Sequence, residues 1–278
     1  MGQPEQRAEG AGPFTTRLAW RLPDGGTAVW ESRLARRRGV LSVRPHSAGP
    51  AHHVRADAVS LTRLRRLNAV AAIAFVIGGA LFAAGAAEAQ FGSGDATECA
   101  SIYFVGGLFF TLGGYVSLLQ VINAPRHVPG GAGRLITPRW QWWGYEPTRV
   151  DWLSTFVLFA GTLVFAVDLL DSFRQGLSVQ QVNRLIWAPD VIGCALFLIS
   201  GHLAIAEIRH AHVRIHDLGP WIVAVNQLGS VLFMVSALAA YTRPATGSLV
   251  NADIANWGTL TGALCFSLAG VLQLGEHS

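Results

Sequence analysis

The chain has 278 residues, of which 51% are hydrophobic and only 14% are charged, and its formal net charge is +4. Ordinary soluble domains carry about 25% charged residues, so this composition excludes a typical soluble protein and favours an integral membrane protein. The three cysteines, Cys99, Cys194 and Cys265, are far apart in the chain. Their separation excludes a disulfide framework and a CxxC metal or redox motif.

The first 66 residues form the only long polar segment and carry twelve of the 21 basic residues, all of which are arginine. Within this segment the string TRLAWRLPDGGTAVWESR alternates apolar and polar residues around the turn sequence PDGG, a pattern typical of a β-hairpin. A lone hairpin is marginally stable, so we expect either packing against the membrane-proximal face or a largely flexible segment. Because the first apolar run begins only near Leu67, no cleaved signal peptide is expected.

Two groups of arginines in this segment are expected to contact anionic lipid headgroups: Arg36 to Arg38, and Arg63, Arg65 and Arg66. Each such residue contributes about 1 kcal/mol near a membrane surface. Nucleic-acid binding is not expected, because membrane topology already explains the charge.

Six apolar stretches are long enough to cross a bilayer, which requires about 20 mostly apolar residues per helix. In chain order they cover 67–87, 101–121, 152–170, 187–208, 221–241 and 255–274. Their spacing predicts an all-α integral membrane protein built as three tandem helical hairpins. We divide the chain into an N-terminal cytoplasmic segment (1–66), hairpin 1 (67–123), a Trp-rich connection (124–151), hairpin 2 (152–208), and hairpin 3 with a short tail (209–278).

The distribution of arginine predicts the orientation of the spans. Eighteen arginines lie in the first 66 residues and in the connections after the second and fourth stretches, against three in the opposite connections. Arginine is enriched on the cytoplasmic side of membrane proteins. We therefore expect a multi-pass protein of the cell inner (plasma) membrane, most simply a bacterial one, with both termini in the cytoplasm.

Aromatic residues cluster where the spans begin and end. Five crowd the entrance to the third span and three more lie near other span ends: Trp140, Trp142, Trp143, Tyr145 and Trp152, then Trp187, Trp221 and Trp257. Such residues typically anchor a helix at the membrane–water interface. An aromatic ligand cage is the alternative interpretation.

One short pattern recurs in every predicted span: a glycine, then a small residue, and a phenylalanine four positions after the glycine. The pairs are Gly78/Phe82, Gly106/Phe110, Gly161/Phe165, Gly193/Phe197, Gly229/Phe233 and Gly262/Phe266. At 100° per residue these positions share one helix face. Because membrane helices associate through close packing of small residues, we expect each phenylalanine to lie over a glycine of a neighbouring helix.

The first hairpin, with VIGGALFAAGA followed by YFVGGLFFTLGGYVSLLQVI, resembles the YrhK-like domain, a two-helix bacterial membrane module. The resemblance covers this hairpin well and the other two loosely. The strings WRLPDGG, RWQWWGYEP and IWAPDVIG are similar to those of multi-span membrane proteins of actinobacteria. Both resemblances imply a helical membrane protein, and neither implies a catalytic residue.

Two carboxylates lie inside the predicted spans, where ionisable groups are costly and frequently functional. Asp168 lies three residues after the phenylalanine of the repeated pattern, where every other span has a small residue, and Asp190 lies near the same outer end of the next span. We expect them to form ion pairs with Arg174 and Arg184 that stabilise the second hairpin. A proton or cation site is the alternative.

Polar side chains also occur toward the cytoplasmic side. His202 and Asn226 lie at similar depth on consecutive spans, which predicts an interhelical hydrogen bond or, alternatively, a proton relay. His210, His212 and His216 follow the fourth span. His212 and His216 are four residues apart, a spacing that allows two histidines on a helix to share a metal. Because no acidic or cysteine ligand accompanies them, no metal site is expected.

The sequence contains no Walker loop, GxSxG, HExxH or correctly placed GxGxxG motif, so we expect neither an enzyme nor a cofactor. Together these features predict a structural, accessory or partner-binding role in the lipid bilayer, with the partner protein unspecified. The alternative is a small transporter or channel that uses Asp168 and His202.

Overall fold

The computed structural model describes residues 6–10, 14–46, 49–92, 95–127, 133–210 and 217–276. Its N-terminal part is an antiparallel sheet whose five strands lie side by side in chain order. The strands are β1 (Gln6–Glu9), β2 (Arg17–Arg21), β3 (Thr27–Glu31), β4 (Val40–Arg44) and β5 (His52–Arg55). The predicted hairpin is present as β2 and β3, and β1, β4 and β5 extend it into a larger sheet.

A short helix, α1 (Ser32–Arg38), follows β3 without a connecting loop. Gly39 ends the helix in the left-handed conformation, with φ of 60°, and its N–H bonds to the Ala35 carbonyl. Glycine adopts this conformation without steric cost. The chain therefore turns directly from α1 into β4, and the sheet fixes the direction in which the side chains of α1 point.

Six long helices follow, each long and apolar enough to cross a membrane. They are α2 (Ala58–Phe91), α3 (Ala96–Ile122), α4 (Val150–Asp171), the continuous segment Val179–Arg209, α7 (Leu218–Ala239) and α8 (Ala252–Gly275). The fourth of these comprises α5 (Val179–Val182), one π-helical turn (Asn183–Trp187) and α6 (Ala188–His210). A two-stranded sheet, β6 (Arg126–His127) and β7 (Leu135–Ile136), lies between α3 and α4.

The helix α2 begins at Ala58 rather than at 67, where the predicted span starts. The Asp57 side chain caps it by accepting a hydrogen bond from the Ser60 amide. A capped first turn is stable outside the apolar run. The nine residues 58–66, five of which are polar, therefore extend α2 beyond the predicted span toward the sheet, a feature that the hydrophobic pattern does not predict.

The six long helices form a closed ring. Each packs against its neighbours in chain order, and α8 packs against α2. The backbones of α8 and α2 approach closely at small residues, since a β-carbon built on Gly270 would lie 2.9 Å from the Ala72 carbonyl oxygen. Large apolar side chains cover the outside of the ring, among them Leu108, Leu163, Ile199, Val235 and Leu268, and their exposure is compatible with contact with lipid.

The six phenylalanines of the repeated pattern are all buried and form one cluster in the middle of the ring. Within successive helix pairs the ring centroids lie 5.2 Å (Phe82–Phe110), 5.0 Å (Phe165–Phe197) and 5.2 Å (Phe233–Phe266) apart. Contacts across the cluster include Phe110 with Phe266 at 5.5 Å. We call this cluster the phenylalanine core.

The glycines of the pattern lie beneath these phenylalanines in a reciprocal arrangement. A β-carbon built on Gly106 would lie 2.7 Å from the Phe82 ring, and one on Gly78 would lie 2.9 Å from the Phe110 ring. The same exchange joins α4 to α6 and α7 to α8, in the pairs Gly161/Phe197, Gly193/Phe165, Gly229/Phe266 and Gly262/Phe233. Each phenylalanine therefore fills space that only a glycine on the facing helix leaves open.

Candidate functional site at the sheet end of the helix ring

The helix α1 places three arginines, Arg33, Arg36 and Arg37, against the end of the ring that faces the sheet. Residues three and four positions apart share a helix face, so the three guanidinium groups point the same way. Only 7% of the Arg33 side chain and 6% of the Arg36 side chain are exposed. Charged side chains are rarely buried to this extent unless they are paired.

Glu207, near the end of α6, is the first partner of this face, and its side chain is 2% exposed. One carboxylate oxygen accepts a hydrogen bond of 2.7 Å from the Ser32 hydroxyl, and the other accepts one of 3.1 Å from Arg36 Nη2. The carboxylate therefore has a partner on each oxygen. This contact joins residues 171 positions apart in the chain.

Glu276, directly after α8, is the second partner. Arg33 Nη2 lies 3.2 Å from one of its carboxylate oxygens, and Arg37 Nε lies 3.7 Å from the other. Arg33 also donates to the Gly219 carbonyl at the start of α7. Burial lowers the pKa of the Arg37 guanidinium to about 9, and the nearby Glu276 opposes this shift. Glu276 thus offsets only part of the cost of burying Arg37.

Amide side chains extend the cluster into the ring. Asn68 of α2 accepts a hydrogen bond from Arg37 Nη1 and exchanges two bonds of 3.0 Å with Gln273 of α8. We call Arg33, Arg36, Arg37, Glu207 and Glu276 the arginine–glutamate cluster. It connects α1 to α2, α6, α7 and α8, so it attaches the N-terminal sheet to four of the six long helices.

A cavity of about 100 Å³ lies inside the ring beneath this cluster. The three arginines form one end, and Phe75, Phe197 and Phe266 form the other. The walls between them carry polar side chains: Ser117, Ser154, Thr155, Ser200, Asn226 and Ser230. The volume suits about three water molecules. The phenylalanine core separates this cavity from the opposite end of the ring.

Asp168 lies toward that opposite end and is 6% exposed. Its Oδ1 has no hydrogen-bond partner among the described residues. Asp190 is close enough to interact with it electrostatically, and the Cys194 thiol donates to Asp190 Oδ1 at 3.7 Å. The structure therefore places the two predicted carboxylates in one region of the ring.

The expected ion pairs of Asp168 and Asp190 with Arg174 and Arg184 do not form in the described part of the chain, and that prediction is wrong. Arg174 is instead 2.9 Å from Asp171, which lies three residues before it at the end of α4. Arg184 is exposed. The reason is geometric, because Asp168 lies on the buried face of α4, whereas Arg174 lies after the end of α4 and Arg184 lies on the exposed side of the π-helical turn.

The predicted hydrogen bond between His202 and Asn226 is also wrong. His202 Nδ1 lies 2.8 Å from the Leu198 carbonyl oxygen and 3.0 Å from the side-chain nitrogen of Gln227, on the exposed side of α6. Asn226 lines the cavity instead. Asn226 and Gln227 are adjacent positions of α7 and differ by about 100° in direction, so only one of these two side chains can reach the outer side of α6. His202 therefore lies outside the ring rather than along its axis.

The three histidines that follow the fourth span are largely outside the described residues. His210 ends α6, and His212 and His216 belong to the undescribed stretch 211–216. Among the residues that the structure does describe, no group of three or more His, Cys, Asp or Glu residues is placed to hold a metal.

The aromatic residues predicted to anchor the spans have different environments. Trp142, Trp143 and Tyr145 are 66%, 53% and 76% exposed. Trp152 is buried, and its indole N–H donates to the Gly144 carbonyl at 2.9 Å. An interfacial position fits the first three residues, whereas Trp152 packs inside the protein.

Sequence reasoning missed the arginine–glutamate cluster. Arg36 and Arg37 are expected from the sequence to contact lipid, and Glu207 and Glu276 carry no expectation. The available signal was two carboxylates at the ends of predicted spans, but their partners in α1 are distant in the chain.

No family model, no curated protein and no solved structure matches this chain.

Proposed function

We propose that this chain is an integral membrane protein with a structural, accessory or partner-binding role, in which the helix ring holds the N-terminal sheet in a fixed position at the cytoplasmic face. The observation that carries this proposal is the buried arginine–glutamate cluster. The arginines of α1 form buried ion pairs with Glu207 of α6 and with Glu276 after α8, and they donate hydrogen bonds to α2 and α7. The sheet therefore cannot move without separating buried charges. Such an attachment suits a domain that presents a fixed surface to a partner.

The phenylalanine core favours this role over transport. A pathway along the axis of the ring would have to pass where the six phenylalanine side chains meet. His202, one of the two residues expected to serve a transporter, lies on the outside of α6. A transporter would therefore need a large rearrangement of the most tightly packed part of the protein.

We further propose that the ring consists of three tandem hairpins, α2 with α3, α4 with α6, and α7 with α8. The reciprocal glycine–phenylalanine contacts within each pair support this division, and so does the resemblance of the first pair to the YrhK-like domain. Closure of the ring by α8 and α2 would then relate the hairpins by an approximate threefold axis. A location in a bacterial inner membrane remains part of this proposal.

The accessory role is tested by cross-linking in native membranes together with flux measurements in proteoliposomes. We expect the same cross-linked partner with the wild type and with Asp168→Asn, and less of it with Arg36→Gln, which weakens attachment of the sheet. Proteoliposomes that contain the wild type should pass no more protons or ions than protein-free vesicles. Flux that Asp168→Asn abolishes would overturn the proposal in favour of a transporter, and failure to cross-link any partner would also contradict it.

A further inference from the structure

A second concave surface lies beside the arginine–glutamate cluster, between α1, the edge of the sheet at β4 and β5, and the start of α2. It has a volume of about 370 Å³. Arg37, Arg38, Arg55 and Arg65 surround it, and Leu61 and Leu64 contribute to its floor. We call this surface the arginine groove.

The groove has a surplus of positive charge. Arg55 and Arg65 are exposed, and no carboxylate oxygen of the described residues lies within 4.0 Å of either guanidinium group. Arg38 Nη2 lies 3.9 Å from Asp217 Oδ1, just within this distance. Within the described chain the one carboxylate that lines the groove is Glu276, which already contacts Arg33 and Arg37. Two arginines are therefore left to hold an anion.

The depth of the groove corresponds to the lipid headgroups. The helix α2 has 34 residues, whereas about 20 suffice to cross the hydrocarbon layer. Arg65 lies two residues before the apolar run that begins at Leu67. On another side of the same helix segment, the Arg63 guanidinium lies 5.3 Å from the centre of the Trp140 ring. Tryptophan and arginine together are typical of the membrane–water interface.

The floor of the groove is apolar. Leu64 is 1% exposed and Leu61 is half-buried. A free inorganic anion would leave Leu61 uncovered, whereas a phospholipid would bring its phosphate to the arginines and its glycerol and first methylene groups to Leu61. Guanidinium groups bind phosphate oxygens in pairs of charge-assisted hydrogen bonds.

We infer that the arginine groove binds the phosphate group of an anionic membrane phospholipid, with Arg55 and Arg65 as its main donors. This site is distinct from the arginine–glutamate cluster and does not depend on the accessory role proposed above. It gives the protein a preference for one lipid class at a defined position next to the sheet.

The test titrates full-length protein in a neutral detergent with phosphatidylglycerol, phosphatidylcholine or inorganic phosphate and measures bound lipid by native mass spectrometry. We expect phosphatidylglycerol to bind and phosphatidylcholine to bind more weakly. The double variant Arg55→Gln/Arg65→Gln should bind phosphatidylglycerol about 30-fold more weakly, which corresponds to about 1 kcal/mol for each arginine. If the double variant does not fold, each single variant should bind about fivefold more weakly.

Arg44→Gln is the matched control. Arg44 is exposed, as Arg55 and Arg65 are. It lies on β4 four residues after Val40, which lines the groove, so it is about 13 Å from the groove along the strand. It should bind phosphatidylglycerol as the wild type does. Equal losses in Arg44→Gln and in the groove variants, or wild-type binding by the groove variants, would overturn the inference. Displacement of the lipid by an equal concentration of inorganic phosphate would instead identify a site for the free ion.

Discussion

At the scale of single residues, four carboxylates within and beside the long helices fall into two pairs with different surroundings. Glu207 and Glu276 are buried and paired with arginines of α1. Asp168 is buried without an arginine partner, and the Cys194 thiol donates a hydrogen bond to Asp190. Breaking a buried ion pair is costly because it leaves one charge uncompensated. The two pairs should therefore respond very differently to loss of charge.

Glu207→Gln should lower the free energy of unfolding by about 3–5 kcal/mol, because it leaves the Arg36 guanidinium buried without its counter-charge. Chemical denaturation in detergent micelles measures the change. Asp217→Asn is the control, since it removes the partner of Arg38 in a largely exposed pair and should change the free energy by less than about 1 kcal/mol. Similar values for the two variants would show that the Arg36–Glu207 pair does not hold the sheet to the ring.

At the scale of helices, glycine and phenylalanine act as complementary halves of one contact. The carbonyl of Gly78 lies 3.2 Å from a β-carbon built on Gly106, so the backbones of α2 and α3 approach each other closely at this point. Hydroxyl side chains add bonds across other pairs, as between Ser154 and Ser200, whose hydroxyls each donate to the other residue's carbonyl. Packing rather than chemistry therefore explains why the pattern recurs in every span.

Gly106→Leu should destabilise the protein by at least about 1–3 kcal/mol, because the new side chain would overlap the Phe82 ring and the Gly78 backbone. The thermal midpoint in detergent measures this loss. Val105→Leu enlarges the neighbouring residue, which is 43% exposed on the outer side of α3, and should leave the midpoint unchanged. A wild-type midpoint for Gly106→Leu would mean that the glycine does not serve helix packing.

At the scale of the whole molecule, the ring has two different ends. The sheet end carries the arginine–glutamate cluster, the polar cavity and the arginine groove. The opposite end carries Asp168, Asp190 and few arginines. This asymmetry agrees with the proposed orientation, in which the arginine-rich end faces the cytoplasm.

The orientation is tested with single cysteines in a variant whose three native cysteines are replaced by serine. Arg7→Cys lies on the sheet and Thr246→Cys lies in the connection between α7 and α8, and both positions are exposed. A membrane-impermeant maleimide added to intact cells should label Thr246→Cys alone and should label both after lysis. Labelling of Arg7→Cys in intact cells would reverse the proposed topology.

Local periodicity and turn chemistry are enough to predict the six apolar helices, the β2–β3 hairpin and the shared face of glycine and phenylalanine in each span. Long-range packing, which is seen only in the folded chain, sets the five-stranded sheet, the closed ring and the partners of the buried charges. The partner of a buried charge cannot be predicted from local sequence. The helix position of Asp168 predicts its burial but not whether Arg174 can reach it, and the partner of Glu207, Arg36, is brought to it by contacts among several elements. Local patterns specify which face of a helix is buried, whereas long-range packing specifies what that face meets.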